Sequence, residues 1–151
     1  MTVIEPEGSW NEMDNKDKES FRGYMKRLAK DSDGPETHAT RKKTTMSEYQ
    51  LESRTHAIYH VEDSVIYPAL GLAGEAGEVA GKVSKIMRDS DGSLTEELRE
   101  DLGKELGDVL WFVAQLASDL SLNLGEIARG NLRKLDDRSE RGVLGGSGDD
   151  R

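Results

Sequence analysis

The chain has 151 residues, 34% apolar and 34% charged, with 21 basic against 30 acidic side chains and a net charge of −9. That length suits one domain, or one domain with an appendage, and the acidity argues against a nucleic-acid or anionic-membrane surface, where basic patches are expected. With no cysteine and three histidines, a disulfide scaffold, a thiolate zinc site, an iron–sulfur cluster, a cysteine nucleophile and a histidine-rich metal centre all drop out.

The opening MTVIEPEGSW carries no basic-then-apolar leader, and no apolar run nears the roughly 18 residues of a membrane helix. A soluble, cytoplasmic protein is expected. Residues 1–45 hold 9 basic and 9 acidic side chains, and the remaining 12 basic and 21 acidic groups carry the whole negative charge. So polar a head cannot offset its ordering entropy by burial. Residues 1–45 therefore read as a disordered extension, with at most a short amphipathic helix from Lys18 to Lys30 bearing Phe21, Met25 and Leu28.

From residue 46 to 140 the pattern is helical, with no strand alternation, and an all-α four-helix bundle is predicted. A first helix is expected over Ser47–His60, with Leu51 and Ile58 as its apolar residues. A second opens at Pro68, suited to a first helical turn, and runs to about Arg88. Ser93 and Glu96 offer a capping box for a third that continues to about Leu120. Asn123 caps a fourth, with Leu124, Ile127, Ala128, Leu132 and Leu135 along one side. Residues 141–151 form a glycine-rich tail.

The third helix carries an apolar seam of Leu98, Leu102, Val109, Phe112 and Leu116. Glu105 falls inside that seam and Asp108 at its edge. A carboxylate there must be protonated, paired with a cation or bound to metal. Glu75 and Glu78 lie one turn apart on the second helix, so the chain reads Glu75-x-x-Glu78, 26 residues, Glu105-x-x-Asp108. Antiparallel packing brings all four to one level, where a divalent cation would relieve their repulsion; hard oxygen donors suit Mg²⁺ or Mn²⁺. Two plainer possibilities stand beside this. Glu75, Glu78, Lys82, Lys85 and Asp89 form a solvated ion-pair stripe, or Glu105 pairs with a buried Lys or Arg.

Six glycines, Gly71, Gly74, Gly77, Gly81, Gly103 and Gly107, fall within these two helices. Each costs about 0.8–1 kcal/mol relative to alanine, which points to close helix approach or room for a ligand. On the fourth helix Asn131 interrupts the apolar stripe, flanked by Lys134 and Arg138. Cations beside a metal–carboxylate cluster suit a polyphosphate; a register-fixing Asn and a basic C-terminal edge are the structural alternatives. Gly77 to Val83 lacks the length and the Ser/Thr of a phosphate loop. Asp89-Ser90-Asp91-Gly92 fails as a calcium loop, whose first and twelfth positions would be Met87 and Leu98. In the tail, Gly145-Gly146-Ser147-Gly148 between Arg141 and Arg151 offers an anion cradle that would close over a bound anion, the plainer alternative being a disordered end.

These residues resemble the MazG-like nucleoside triphosphate pyrophosphohydrolases. The likeness runs through Glu48-Tyr49-Gln50, Tyr67-Pro68-Ala69-Leu70-Gly71-Leu72-Ala73-Gly74-Glu75-Ala76-Gly77-Glu78-Val79, Lys104-Glu105-Leu106-Gly107-Asp108-Val109-Leu110-Trp111, and Asn131-Leu132-Arg133-Lys134-Leu135 with Arg138. It implies an all-α enzyme that splits nucleoside triphosphates between the α and β phosphates with Mg²⁺. Glu75, Glu78, Glu105 and Asp108 would be metal ligands, one of them handling the attacking water. Lys82, Lys134 and Arg138 would hold phosphates, and Asn131 and Gln50 would meet sugar or base. A homodimer or homotetramer is also implied. The rivals are a base-selective relative of the dUTPase or dCTPase kind and a non-catalytic helical interaction module with a structural acidic layer.

Overall fold

A computed structural model describes residues 44–89 and 92–145, with Glu19 and Gly23 in helical conformation ahead of them. The apolar residues expected on the Lys18–Lys30 helix, the disorder expected of the head, and tail residues 146–151 lie outside the described residues. The chain divides into two units, Met1–Lys43 and Thr44–Arg151. The second contains helices α1 (Met46–Arg54), α2 (Ile66–Asp89), α3 (Glu96–Asp119) and α4 (Leu124–Glu140), with a 3₁₀ turn at Val61–Asp63. No strand occurs among its described residues.

Each helix starts where a local hydrogen bond can satisfy free N–H groups. Thr45 Oγ1 accepts from the Glu48 N–H while Glu48 Oε2 accepts from the Thr45 N–H, a capping box that opens α1. α2 begins two residues before Pro68, which sits buried in its first turn, where no N–H is needed. The cap of α3 is Thr95, accepting from the Leu98 N–H, and not the expected Ser93. Capping at Thr95 leaves Leu94 half-buried and places both Glu96 and Glu97 in the first turn, against the positive end of the helix dipole. Asn123 caps α4 as expected.

α3 is the hub. It packs on α2 along most of its length, and on α1 and α4 as well. Its Ala114 and Ala117 are buried with Leu124, and Tyr49 and Val113 pack against them. The tightest approach is at Gly71: a methyl group there would stand 2.1 Å from Phe112 Cε1. Gly74, Gly77, Gly81, Gly103 and Gly107 have nothing within 4 Å of that position, so close packing explains one glycine of the six. Gly71→Ala is expected to cost about 1–3 kcal/mol by overpacking, whereas Gly103→Ala is expected to gain up to about 1 kcal/mol from helix propensity. Urea unfolding of the two variants checks the contrast.

α1 stops at Arg54, six residues short of the expected end, and the two apolar residues expected on it do not face inward: Leu51 is 74% exposed and Ile58, beyond the helix, 94%. The chain leaves the helix because a polar joint draws it elsewhere. Thr55 Oγ1 donates to the Glu52 carbonyl, a local bond that competes with helix propagation. Beyond it Arg54 and Tyr59 bond each other and both reach Asp119, the last residue of α3. Asp119 Oδ2 accepts from Tyr59 Oη at 2.9 Å and from the Val65 N–H at 3.0 Å, while Arg54 Nη2 lies 2.8 Å from Oδ1. Arg54 also donates to buried Gln115, which donates in turn to Ser53 Oγ. Burial pushes the Asp119 carboxyl up, but the Val65 N–H, the Tyr59 hydroxyl and Arg54 outweigh it and hold the group below its usual range. The joint therefore contributes its stability above the ordinary Asp range and loses it as pH falls through the lowered value.

At the other junction, Gln50 links α1 to α4. Its Nε2 donates to Ser118 Oγ and the Leu122 carbonyl, and its Oε1 accepts from the Leu124 N–H. α3 ends with Ser121 at φ 57°, its N–H bonded to the Ser118 carbonyl and that of Leu122 to Ala117. α4 closes in the same way with Gly142 at φ 69°, the residue best suited to that conformation.

Candidate active site

The α2–α3 contact creates the site. Glu105 and Asp108 stand one turn apart on α3, and Glu75 meets them from α2. One carboxylate oxygen from each lies within 4.8 Å of the others. Glu105 and Glu75 are half-buried and Asp108 is exposed. Lys82, two turns beyond Glu75 on α2, places its Nζ 2.9 Å from Glu105 Oε1.

The electrostatics follow from the crowding. Desolvation pushes the Glu75 carboxyl up, and the charges of Asp108, Glu105 and Glu78 push the same way. Glu105 holds the Lys82 ammonium above its usual value through their hydrogen bond. Tyr49, on α1, is raised by burial and then by Asp108, so the charge of Asp108 is felt on α1 as well as on α2. The Lys82 ammonium partly offsets these charges. Opposite ligands of Mg²⁺ stand about 4 Å apart, twice the usual metal–oxygen distance. The Glu75–Glu105–Asp108 spacing lies within a small rotamer adjustment of that, and hard oxygens are the donors such an ion takes. The residues fit a divalent cation.

Three of the four expected carboxylates thus come together. Glu78 is exposed and lies outside the group, although its charge reaches Glu75. Glu105 also forms an ion pair with Lys82, but a partly exposed one and not the buried pair of the alternative reading.

The expected phosphate, sugar and base groups on α4 are placed as follows. Asn131 and Lys134 line a groove with Met46, Leu124, Ile127, Ala128 and Gly130, and Arg138 is buried at 5% exposure. Gln50, expected at sugar or base, has its amide engaged at the α1–α4 junction on both sides. Arg151 falls outside the described residues. Sequence patterns gave no notice of the influence of Asp108 on Tyr49 or of the Arg54–Tyr59–Asp119 joint, because these partners lie far apart along the chain.

The family described as the MazG nucleotide pyrophosphohydrolase domain matches residues 68–143, a span that contains Glu75, Glu78, Lys82, Glu105, Asp108, Asn131, Lys134 and Arg138. The chain is 49% identical over 109 residues to the Gene 37 protein of Mycobacterium phage L5, an alignment that covers 68% of this chain and 96% of the phage protein. No solved structure matches the chain.

Proposed function

Because the chain belongs to the MazG nucleotide pyrophosphohydrolase family, we propose that it hydrolyses (deoxy)nucleoside triphosphates between the α and β phosphates. The products would be a nucleoside monophosphate and pyrophosphate. The supporting observation is the meeting of Glu75, Glu105 and Asp108 across the α2–α3 contact. With Glu78 one turn away, these side chains would hold Mg²⁺ or Mn²⁺. When bound, the ion supplies charge neutralisation on the phosphate oxygens and lowers the pKa of water.

The chain's own groups do the rest. Lys82 offers an ammonium to phosphate from inside the carboxylate site, and Lys134 and Arg138 are the further phosphate-binding groups. Asn131 is assigned to sugar or base, and Arg151 to the tail's contribution. Gln50 is left at the α1–α4 junction, since freeing its amide would break three hydrogen bonds. A homodimer or homotetramer fits the apolar side chains on three helices. Leu70, Leu106 and Leu132 are each more than half exposed, and a second copy would cover them. No described helix is long and apolar enough to cross a membrane.

One observation favours the second reading, a non-catalytic module with a structural acidic layer: the Lys82–Glu105 ion pair. A panel of canonical and modified NTPs and dNTPs with Mg²⁺ separates the two. Monophosphate and pyrophosphate are expected from at least one substrate, and a single preferred base would mark a selective relative of the dUTPase or dCTPase kind. Diphosphate with orthophosphate, or no turnover across the panel, would contradict the proposal.

A further inference from the structure

The Asp119 side chain is 1% exposed and stands outside the carboxylate site, yet it grips the backbone at the entry to α2. Val65 has φ 68°, and the Ile66 N–H bonds back to the Ser64 carbonyl at 2.8 Å. Such a left-handed γ-turn is rare and strained, all the more with a β-branched residue at its centre. It persists where surrounding contacts over-determine it. Here they are the Asp119–Val65 hydrogen bond, the Tyr59 hydroxyl on the same carboxylate oxygen, and the Tyr59 ring stacked on Tyr67 of α2 at 4.9 Å between centroids.

The position of this joint relates to the site by helix arithmetic. Asp108 precedes Asp119 by eleven residues, about 16.5 Å along α3 and only about 20° away around it. Glu75 follows Val65 by ten residues, about 15 Å along α2. α2 leaves the joint and α3 arrives at it, so the antiparallel helices lie side by side and arms of nearly equal length set Glu75 level with Asp108. Gly71 and Phe112, six and seven residues from the same joint, meet on the way.

We propose that Asp119 is a positioning residue for the cation site: by holding Val65 it fixes the register of α2 against α3, and with it the approach of Glu75 to Glu105 and Asp108. A slip of one residue would carry Glu75 about 1.5 Å along and about 100° around its helix, out of reach of its partners. The link to the cation rests on the site assignment in the preceding section; the register itself does not.

Two readouts on the full chain test it. Asp119→Ala is expected to weaken Mn²⁺ binding, followed by electron paramagnetic resonance, by about tenfold or more while helicity is kept, in the range seen when groups supporting metal ligands are removed. Adding Val65→Gly should recover most of that loss, because glycine holds the turn without strain; a purely structural Asp119 would lower the unfolding midpoint and leave Mn²⁺ affinity alone. The chain has no cysteine, so spin labels at Ala80→Cys and Glu100→Cys report the α2–α3 distance. Its distribution should shift or broaden in Asp119→Ala and sharpen again with Val65→Gly. Should Asp119→Ala fail to fold, Asp119→Asn carries the same measurements. Wild-type Mn²⁺ affinity with an unchanged label distance would overturn the proposal. If the wild-type chain itself bound no Mn²⁺, the cation assignment would fall and the label distance alone would decide the register.

Discussion

Replacing Glu105 by Gln is expected to lower kcat/KM by more than about a hundredfold, on the scale of losses when preorganised charge at a reacting centre is removed, and to leave the helices intact. The substitution keeps the size and shape of a side chain that is 18% exposed and removes only its charge. Lys82, its partner, is 31% exposed in its side chain and can turn to water, so the broken pair leaves no buried cation to destabilise the fold. The loss falls instead on the carboxylate group, which would keep Glu75 and Asp108 and lose its third member. Steady-state kinetics beside urea unfolding separates the alternatives. Activity within a few-fold of wild type would contradict the site assignment. An unfolded variant would make Glu105 a structural ion-pair partner and favour the non-catalytic module.

Much of this was legible because the relevant signals are local. Asn123 announces a helix start by chemistry that acts within one turn and sits where expected, while Pro68 falls in the first turn of α2, which starts two residues earlier at Ile66. The Glu75, Glu105 and Asp108 group was readable because helix periodicity turns spacing into position, and a carboxylate inside an apolar seam demands a partner. The expected Ser93 cap falls two residues early: the cap is Thr95, which leaves Leu94 half-buried and both following glutamates in the first turn.

The remainder depended on contacts between distant residues. The Thr55–Val65 segment leaves the helical path for Asp119, more than 50 residues on, and no periodicity within α1 carries that information. Gln50 belongs to a motif that suggests ligand contact, yet its amide meets Leu122 and Leu124, whose backbone polar groups the α3–α4 turn leaves available. The six helical glycines look alike as letters. Only the ring of Phe112 distinguishes Gly71 from the rest.

Removing divalent cation is the second change of large expected effect. Turnover should vanish with a chelator and return with Mg²⁺, while far-UV circular dichroism changes little. Caps at Thr45, Thr95 and Asn123 and the packing around α3 build the helices, so the ion is expected to serve chemistry more than folding. Its binding can be observed without any substrate. The most direct measurement is an Mn²⁺ titration of the wild-type chain beside a variant carrying Glu75→Gln, Glu105→Gln and Asp108→Asn together, with free Mn²⁺ read by electron paramagnetic resonance. Saturable binding by the wild type and none by the variant is the predicted result. Equal binding by both chains, or no binding by either, would contradict a cation site at the α2–α3 carboxylates.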